Sequence, residues 1–210
     1  MIPASTLAVF ALAALLLAVT PGPAVLYIVA RSVHQGRRAG MLSALGIAAG
    51  GLVHVLAAVA GLSALLVSSA LAFTAVRWAG AVYLVWLGVK TLRGGADAES
   101  ASPPPAAPRR IFLQGFVVNV LNPKTALFFL AFLPQFVSPT RGSVPAQILL
   151  LGLTFISIAS TSDLTYALLA GTVARRVGRT ARARRATRLV TGGAYLALGA
   201  GAALAGTSHE

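Results

Sequence analysis

Six stretches of this chain, roughly residues 4 to 30, 41 to 67, 71 to 92, 111 to 137, 144 to 171 and 189 to 206, are apolar over about the 20 residues that a helix needs to cross hydrocarbon. The bilayer core offers no water to exposed N–H and C=O groups, so a spanning segment must satisfy its own backbone as a helix or close into a barrel. These stretches lack the apolar–polar alternation of barrel strands. They predict an all-α integral membrane fold of six transmembrane helices. Composition agrees, with 57% hydrophobic and 10% charged residues, where soluble domains carry about 25% charged.

Charge then sets orientation. A formal charge of +13 would suit nucleic acid, but the densest basic run, ARRVGRTARARRATR at 174–188, lies between two apolar stretches, where a cytoplasmic loop belongs. No nucleic-acid partner is expected. Arg31, Arg37 and Arg38 fall in the first loop, Lys90, Arg93, Arg109 and Arg110 in the third, and the arginines from Arg175 to Arg188 in the fifth. The opposite side carries Arg77 and Arg141. Because cytoplasmic loops retain Lys and Arg, both termini are predicted outside. No Lys or Arg precedes Leu7, and a proline cluster stands where cleavage would fall, so the first stretch reads as a span and not a signal peptide. Cysteine is absent, which excludes disulfides, thiolate metal sites and thiol redox chemistry.

The loop at 94–110, rich in Pro, Ala and Ser, has the composition of a flexible connector at the midpoint. It separates a three-helix unit at 1–93 from another at 111–210. Short matches link the units: GAVYL answers GGAYL, pairing Gly80 with Gly192, Tyr83 with Tyr195 and Leu84 with Leu196, while TPGP in the first stretch answers LNPK in the fourth. Three helices is an odd number, so the units must be inverted relative to each other, the plan of secondary transporters.

TPGP at Thr20, Pro21, Gly22 and Pro23 should break the first helix, and Asn122, Pro123 and Lys124 the fourth. A broken membrane helix is tolerated where its freed backbone groups face protein or a water-filled cavity. A simple kink explains one such break. Two in corresponding places, each flanked by polar Thr20 or Asn122, predict one shared cavity, where half-helix ends and free amides bind a zwitterion or ion.

These residues carry a resemblance. The string TPGPAVLYIVARSVHQGRRAGMLSALGIAAGGLVHVLAAVAGLSALL, the following AFTAVRWAGAVYLVWLGVKTLR, and GFVVNVLNPKTALFFLAFLPQFV resemble the LysE/RhtB family of amino-acid exporters over nearly the whole chain. The resemblance implies export of amino acids or close derivatives across the bacterial inner membrane, driven by an ion gradient, usually the proton motive force. It places functional weight on Pro21, Gly22, Pro23, Asn122, Pro123 and Lys124. Ala24 stands where such proteins often carry Asn.

Lys124 falls deep in the fourth stretch. An intramembrane cation costs at least ~2.5 kcal/mol on insertion scales, so it should face the interior with a partner. Asp163 is the single acid within a span, Asp97, Glu99 and Glu210 lying outside. The two form either a structural ion pair or a substrate and proton site. His54 is the single histidine in a span, and serves either as a proton relay or as a hydrogen-bonding group between helices. Gly46 and Gly50 form a small-xxx-small pattern that suits close helix contact. Phe128, Phe129 and Phe132 are expected to line the path or face lipid.

No cofactor is implied, and a homo-oligomer is compatible with the sequence. A divalent-cation exporter built on similar repeats is the alternative; it needs clustered carboxylates or His, and the spans offer His54 and Asp163. An intramembrane enzyme would need a constellation such as HExxH or GxSxG, and neither occurs.

Overall fold

The computed structural model describes residues 2–68 and 105–177, with Trp78, Val82, Val85, Trp86, Val89, Leu92, Arg93, Leu189 and Leu196 as isolated positions. The third and sixth predicted spans, the correspondences at Gly80, Tyr83 and Leu84, most of the connector and the arginine run beyond 177 lie outside the described residues.

Among the described residues every regular element is helical: α1 (Ala4–Val19), α2 (Pro23–Gln35), α3 (Arg37–Ser68), α4 (Pro108–Val120), α5 (Pro123–Leu127) and α6 (Val144–Val177). Two helices hold straight apolar spans, Arg37–Gly61 and Val144–Ala170. Two further helix pairs are apolar enough to count as spans if each pair is taken as one, and both are bent, Ala4–Val19 with Pro23–Gln35 by 50° and Pro108–Val120 with Pro123–Phe136 by 44°.

Proline chemistry accounts for both bends. The residue before a proline is pushed out of the helical region by the ring. Thr20 before Pro21 (ψ 118°), Gly22 before Pro23 (ψ −173°) and Asn122 before Pro123 (ψ 109°) are all extended. Pro23 and Pro123 then open the next helices, where the missing N–H costs nothing. The Asn122 side chain caps α5 by accepting from the Lys124 N–H at 3.1 Å. Beyond α5 the chain departs from the α-helix expected to resume after the second break. It passes through a π-helical turn, Phe128–Phe132, and two 3-10 turns, Leu133–Phe136 and Pro139–Arg141. Pro134 and Pro139 deny donors to a continuous α-helix there.

The first connection also differs from expectation. The first span does not stop at residue 30, because α2 runs to Gln35 and turns into α3 through Gly36 alone, at a φ of 86° open to glycine. Arg31 is therefore not a loop cation. It is 1% exposed, and it is tolerated because its guanidinium is bonded: Nε donates to the Tyr27 hydroxyl at 3.2 Å, Nη2 to Gln114 Oε1 at 2.6 Å, and Nη1 to Gln35 Oε1. Arg37 and Arg38 lie exposed on the first turn of α3, and Arg109 and Arg110 on that of α4.

Small residues draw α3 and α4 into backbone contact. A Cβ at Gly46 would stand 2.1 Å from the Phe112 carbonyl oxygen, one at Gly50 2.5 Å from that of Phe116, and one at Gly115 2.6 Å from that of Ser43. These contacts advance together along both chains, so α3 and α4 are parallel. α6 runs the other way, with Gly40 beside Ala167, Gly51 beside Ile156 and Gly152 beside Val55. The starts of α3 and α4 and the end of α6 thus gather at one end of the bundle.

One end of the interior is aromatic. Phe128 stacks on Phe155 at 4.4 Å and meets Phe10 at 5.7 Å, and Phe129 and Phe132 complete the cluster. Phe128, Phe129 and Phe132 are buried, so they seal the core and do not face lipid. A smaller cluster of Ile28, Ala44, Ile47 and Ala167 fills the other end. The outer faces carry large apolar side chains such as Leu12, Leu56 and Leu121, as a lipid-facing surface requires.

Candidate functional site

Between the two clusters lies a small, partly open cavity of about 50 Å³. Both breaks open onto it: Leu17, Ala18, Gly22, Ala24 and Val25 from the first, and Asn119, Asn122, Lys124 and Thr125 from the second. α3 adds Ile47 and Ala48, and α6 adds Phe155, Ile156, Ala159, Ser160 and Asp163. The walls are mostly apolar, with one cation and one carboxylate set into them.

Lys124 bridges the breaks. Its ammonium donates to the carbonyl oxygens of Leu17 and Thr20, both at 2.6 Å. Those carbonyls end α1, where the helix dipole is negative and the regular i+4 donors are missing, so a cation is favoured. Gly22 lets the lysine stem pass, since a Cβ there would lie 3.2 Å from Lys124 Cδ. The rest of the α1 terminus is served by side chains as well. Thr20 Oγ1 donates to Leu16 O at 2.6 Å, Ser162 Oγ to Ala18 O at 3.4 Å, and the Tyr166 hydroxyl to Val19 O at 2.7 Å.

Asp163 is 6% exposed and faces the cavity. Among the described residues its carboxylate accepts no hydrogen bond and forms no ion pair with Lys124. The two opposite charges share one cavity and act on each other electrostatically, without direct contact between them.

The second break is organised by Asn119, which the sequence reading passed over. Its Nδ2 donates to Ile47 O at 2.7 Å, while Oδ1 accepts from Thr125 Oγ1 at 2.9 Å and from Asn122 Nδ2 at 3.3 Å. Its place four residues before Pro123 was the available signal. Ser162 and Tyr166 were also passed over, although both lie within one turn of Asp163.

Of the residues singled out from sequence, Gly22, Asn122, Lys124 and Asp163 line the cavity. Thr20 is buried and presents its carbonyl to Lys124. Pro21, Pro23 and Pro123 shape the breaks without lining it. His54 also stands outside the lining, its Nε2 2.8 Å from the Asn119 carbonyl oxygen and its ring stacked on Phe129 at 6.0 Å. Among the described residues no three His, Cys, Asp or Glu side chains come together as a metal site would require.

A family model of the LysE type translocators matches residues 15–206. The chain belongs to that family. Similar proteins include the homoserine/homoserine lactone efflux protein of Salmonella typhimurium, 33% identical over 79% of this chain and 80% of that one. The leucine efflux protein of the same organism is 31% identical over 75% of each chain. An uncharacterised membrane protein of Vibrio cholerae is 32% identical over 80% of this chain and 82% of its own. No solved structure matches. This LysE-type translocator is a membrane transporter of an amino-acid efflux family and not an enzyme.

Proposed function

We propose that this translocator exports a zwitterionic amino acid with a small apolar side chain from the bacterial cytoplasm, and that the cavity between the breaks is its binding site. The observation that carries this reading is the placement of Lys124 and Asp163, not bonded to each other, in one cavity with mostly apolar walls. An ammonium has three donors, and two are used by Leu17 and Thr20. The third meets the substrate carboxylate, Asp163 meets the substrate ammonium, and Val25, Ile47, Phe155 and Ile156 surround the side chain. A relative named for leucine efflux fits a site of that chemistry, and homoserine, for whose efflux another is named, shares the zwitterionic backbone that Lys124 and Asp163 would meet.

The same reading extends to the whole chain. α3 and α4 are parallel, so an odd number of crossings separates them, which supports six spans in two inverted three-helix units, 1–93 and 111–210. The end of the bundle where α3 and α4 begin carries Arg37, Arg38, Arg109 and Arg110, which supports a cytoplasmic placement of that end and termini on the outer face of the inner membrane. Export is driven by protons, Asp163 carrying the proton when no substrate ammonium faces it.

The test is accumulation. Cells with and without the gene are fed dipeptides, and free amino acids are followed inside and outside. The gene should raise external leucine, valine and similar residues and lower their internal pools. Identical pools in the two strains, or relief confined to basic amino acids, overturns the reading.

A further inference from the structure

Three prolines shape the two breaks, and each deletes one specific hydrogen bond. In a continuous helix the N–H of residue i serves the carbonyl of residue i−4. Pro21 therefore leaves Leu17 O without its donor, Pro23 leaves Val19 O without one, and Pro123 does the same to Asn119 O. Each of these three oxygens is met by a side chain from a distant element. Lys124 Nζ reaches Leu17 O at 2.6 Å, the Tyr166 hydroxyl reaches Val19 O at 2.7 Å, and His54 Nε2 stands 2.8 Å from Asn119 O.

We infer that Tyr166 and His54 are positioning residues of the translocation machinery, each supplying the donor that a break-forming proline removes. A carbonyl oxygen only accepts, so His54 must carry its proton on Nε2. The arrangement explains why the breaks persist at membrane depth, where an orphaned carbonyl is costly both inside the bundle, as at buried Leu17, and toward its surface, as at half-exposed Val19. It also ties each break to another helix. α6 holds the end of α1 through Tyr166, and α3 holds the end of α4 through His54. Leu17 O and Asn119 O each keep a second, backbone donor, from Thr20 N at 3.2 Å and Asn122 N at 3.0 Å. No second donor to Val19 O is found among the described residues, so Tyr166 is the most exposed to test.

The inference rests on the translocation-site reading only for its effect on transport, so its test has two arms. In the first, the full-length protein is purified in detergent and its melting temperature is measured. Tyr166→Phe keeps the ring and removes the donor. It should lower the melting temperature by several degrees in the native background and by much less beside Pro23→Ala, which returns an N–H to Val19 O. His54→Leu should behave likewise with Pro123→Ala, while His54→Gln, which retains an N–H donor, should melt near the native protein. Equal shifts with and without the proline replacements overturn the inference. In the second arm, export by Tyr166→Phe is measured at matched membrane abundance, with a loss of at least fivefold expected. Coupled melting with undiminished export upholds donor replacement and overturns the placement of substrate at the breaks.

Discussion

Lys124 donates from its ammonium to the backbone carbonyl of Thr20 at 2.6 Å, across 104 residues of sequence, and so joins the two helix breaks through one side chain. The cation is bonded directly to the negative end of α1, and among the described residues no carboxylate touches it. Lys124→Met should therefore cost both stability and export. Two hydrogen bonds to a charged donor, at about 2 kcal/mol each, would be lost with their carbonyls still buried. The expected outcome is export below a tenth of native and a lower melting temperature, with Lys124→Arg only partly restoring export because the planar guanidinium is not shaped for two adjacent carbonyls.

Asp163 separates a structural role from a functional one. The carboxylate makes no direct contact with Lys124 among the described residues, and Asp163→Asn keeps nearly the same shape. The variant should reach the membrane at native levels and fail to export when a pH gradient is imposed on sealed vesicles. A structural pair would instead restore activity in the double variant lacking both charges. The geometry predicts that Lys124→Met with Asp163→Asn is no better than either alone.

The proline-bearing breaks were legible from sequence because their cause is local: a ring without an N–H acts on its own residue and the one before it. The close approach of Gly46 and Gly50 to a neighbouring helix was legible for a similar reason, since small residues four apart leave one face open. Arg31 was not. Its acceptor Gln114 lies 83 positions away, and nothing near Arg31 distinguishes a buried guanidinium from a loop cation. Tyr166 and Ser162 were missed because their partners are backbone oxygens, which no side-chain pattern announces. The π-helical turn after Leu127 escaped for the opposite reason: FFLAF is apolar throughout and carries no period of its own.

Contact between α3 and α4 gives a test of folding that leaves the cavity alone. Neither Gly46 nor Phe112 lines it. A Cβ at Gly46 would sit 2.1 Å from a backbone oxygen, which cannot yield as a flexible side chain would. Gly46→Ala should force the helices apart at a cost of about 1–3 kcal/mol, and Gly46→Val more. Membrane abundance should fall while export per molecule is largely kept. Native abundance for Gly46→Val would contradict the parallel contact.

Arg31 supports a last prediction, because its buried guanidinium is shared among polar side chains of two helices. The guanidinium gathers Tyr27, Gln35 and Gln114, while Tyr27 also donates to Ile111 O at 3.3 Å and Gln35 Nε2 to Ala106 O at 3.2 Å. One fully buried side chain thus fastens α2 to the start of α4. Lysine has the charge but not the fork, and cannot reach three separately placed acceptors with the same geometry. Arg31→Lys should therefore lose most of the abundance lost in Arg31→Ala. Replacing exposed Arg38 by alanine should leave abundance near native, since a solvated charge adds little to stability. Quantitative immunoblotting of membranes, normalised to an unrelated membrane protein, reads both. If Arg31→Lys matches the native level, charge at that end of the bundle matters and the hydrogen-bonded fork does not.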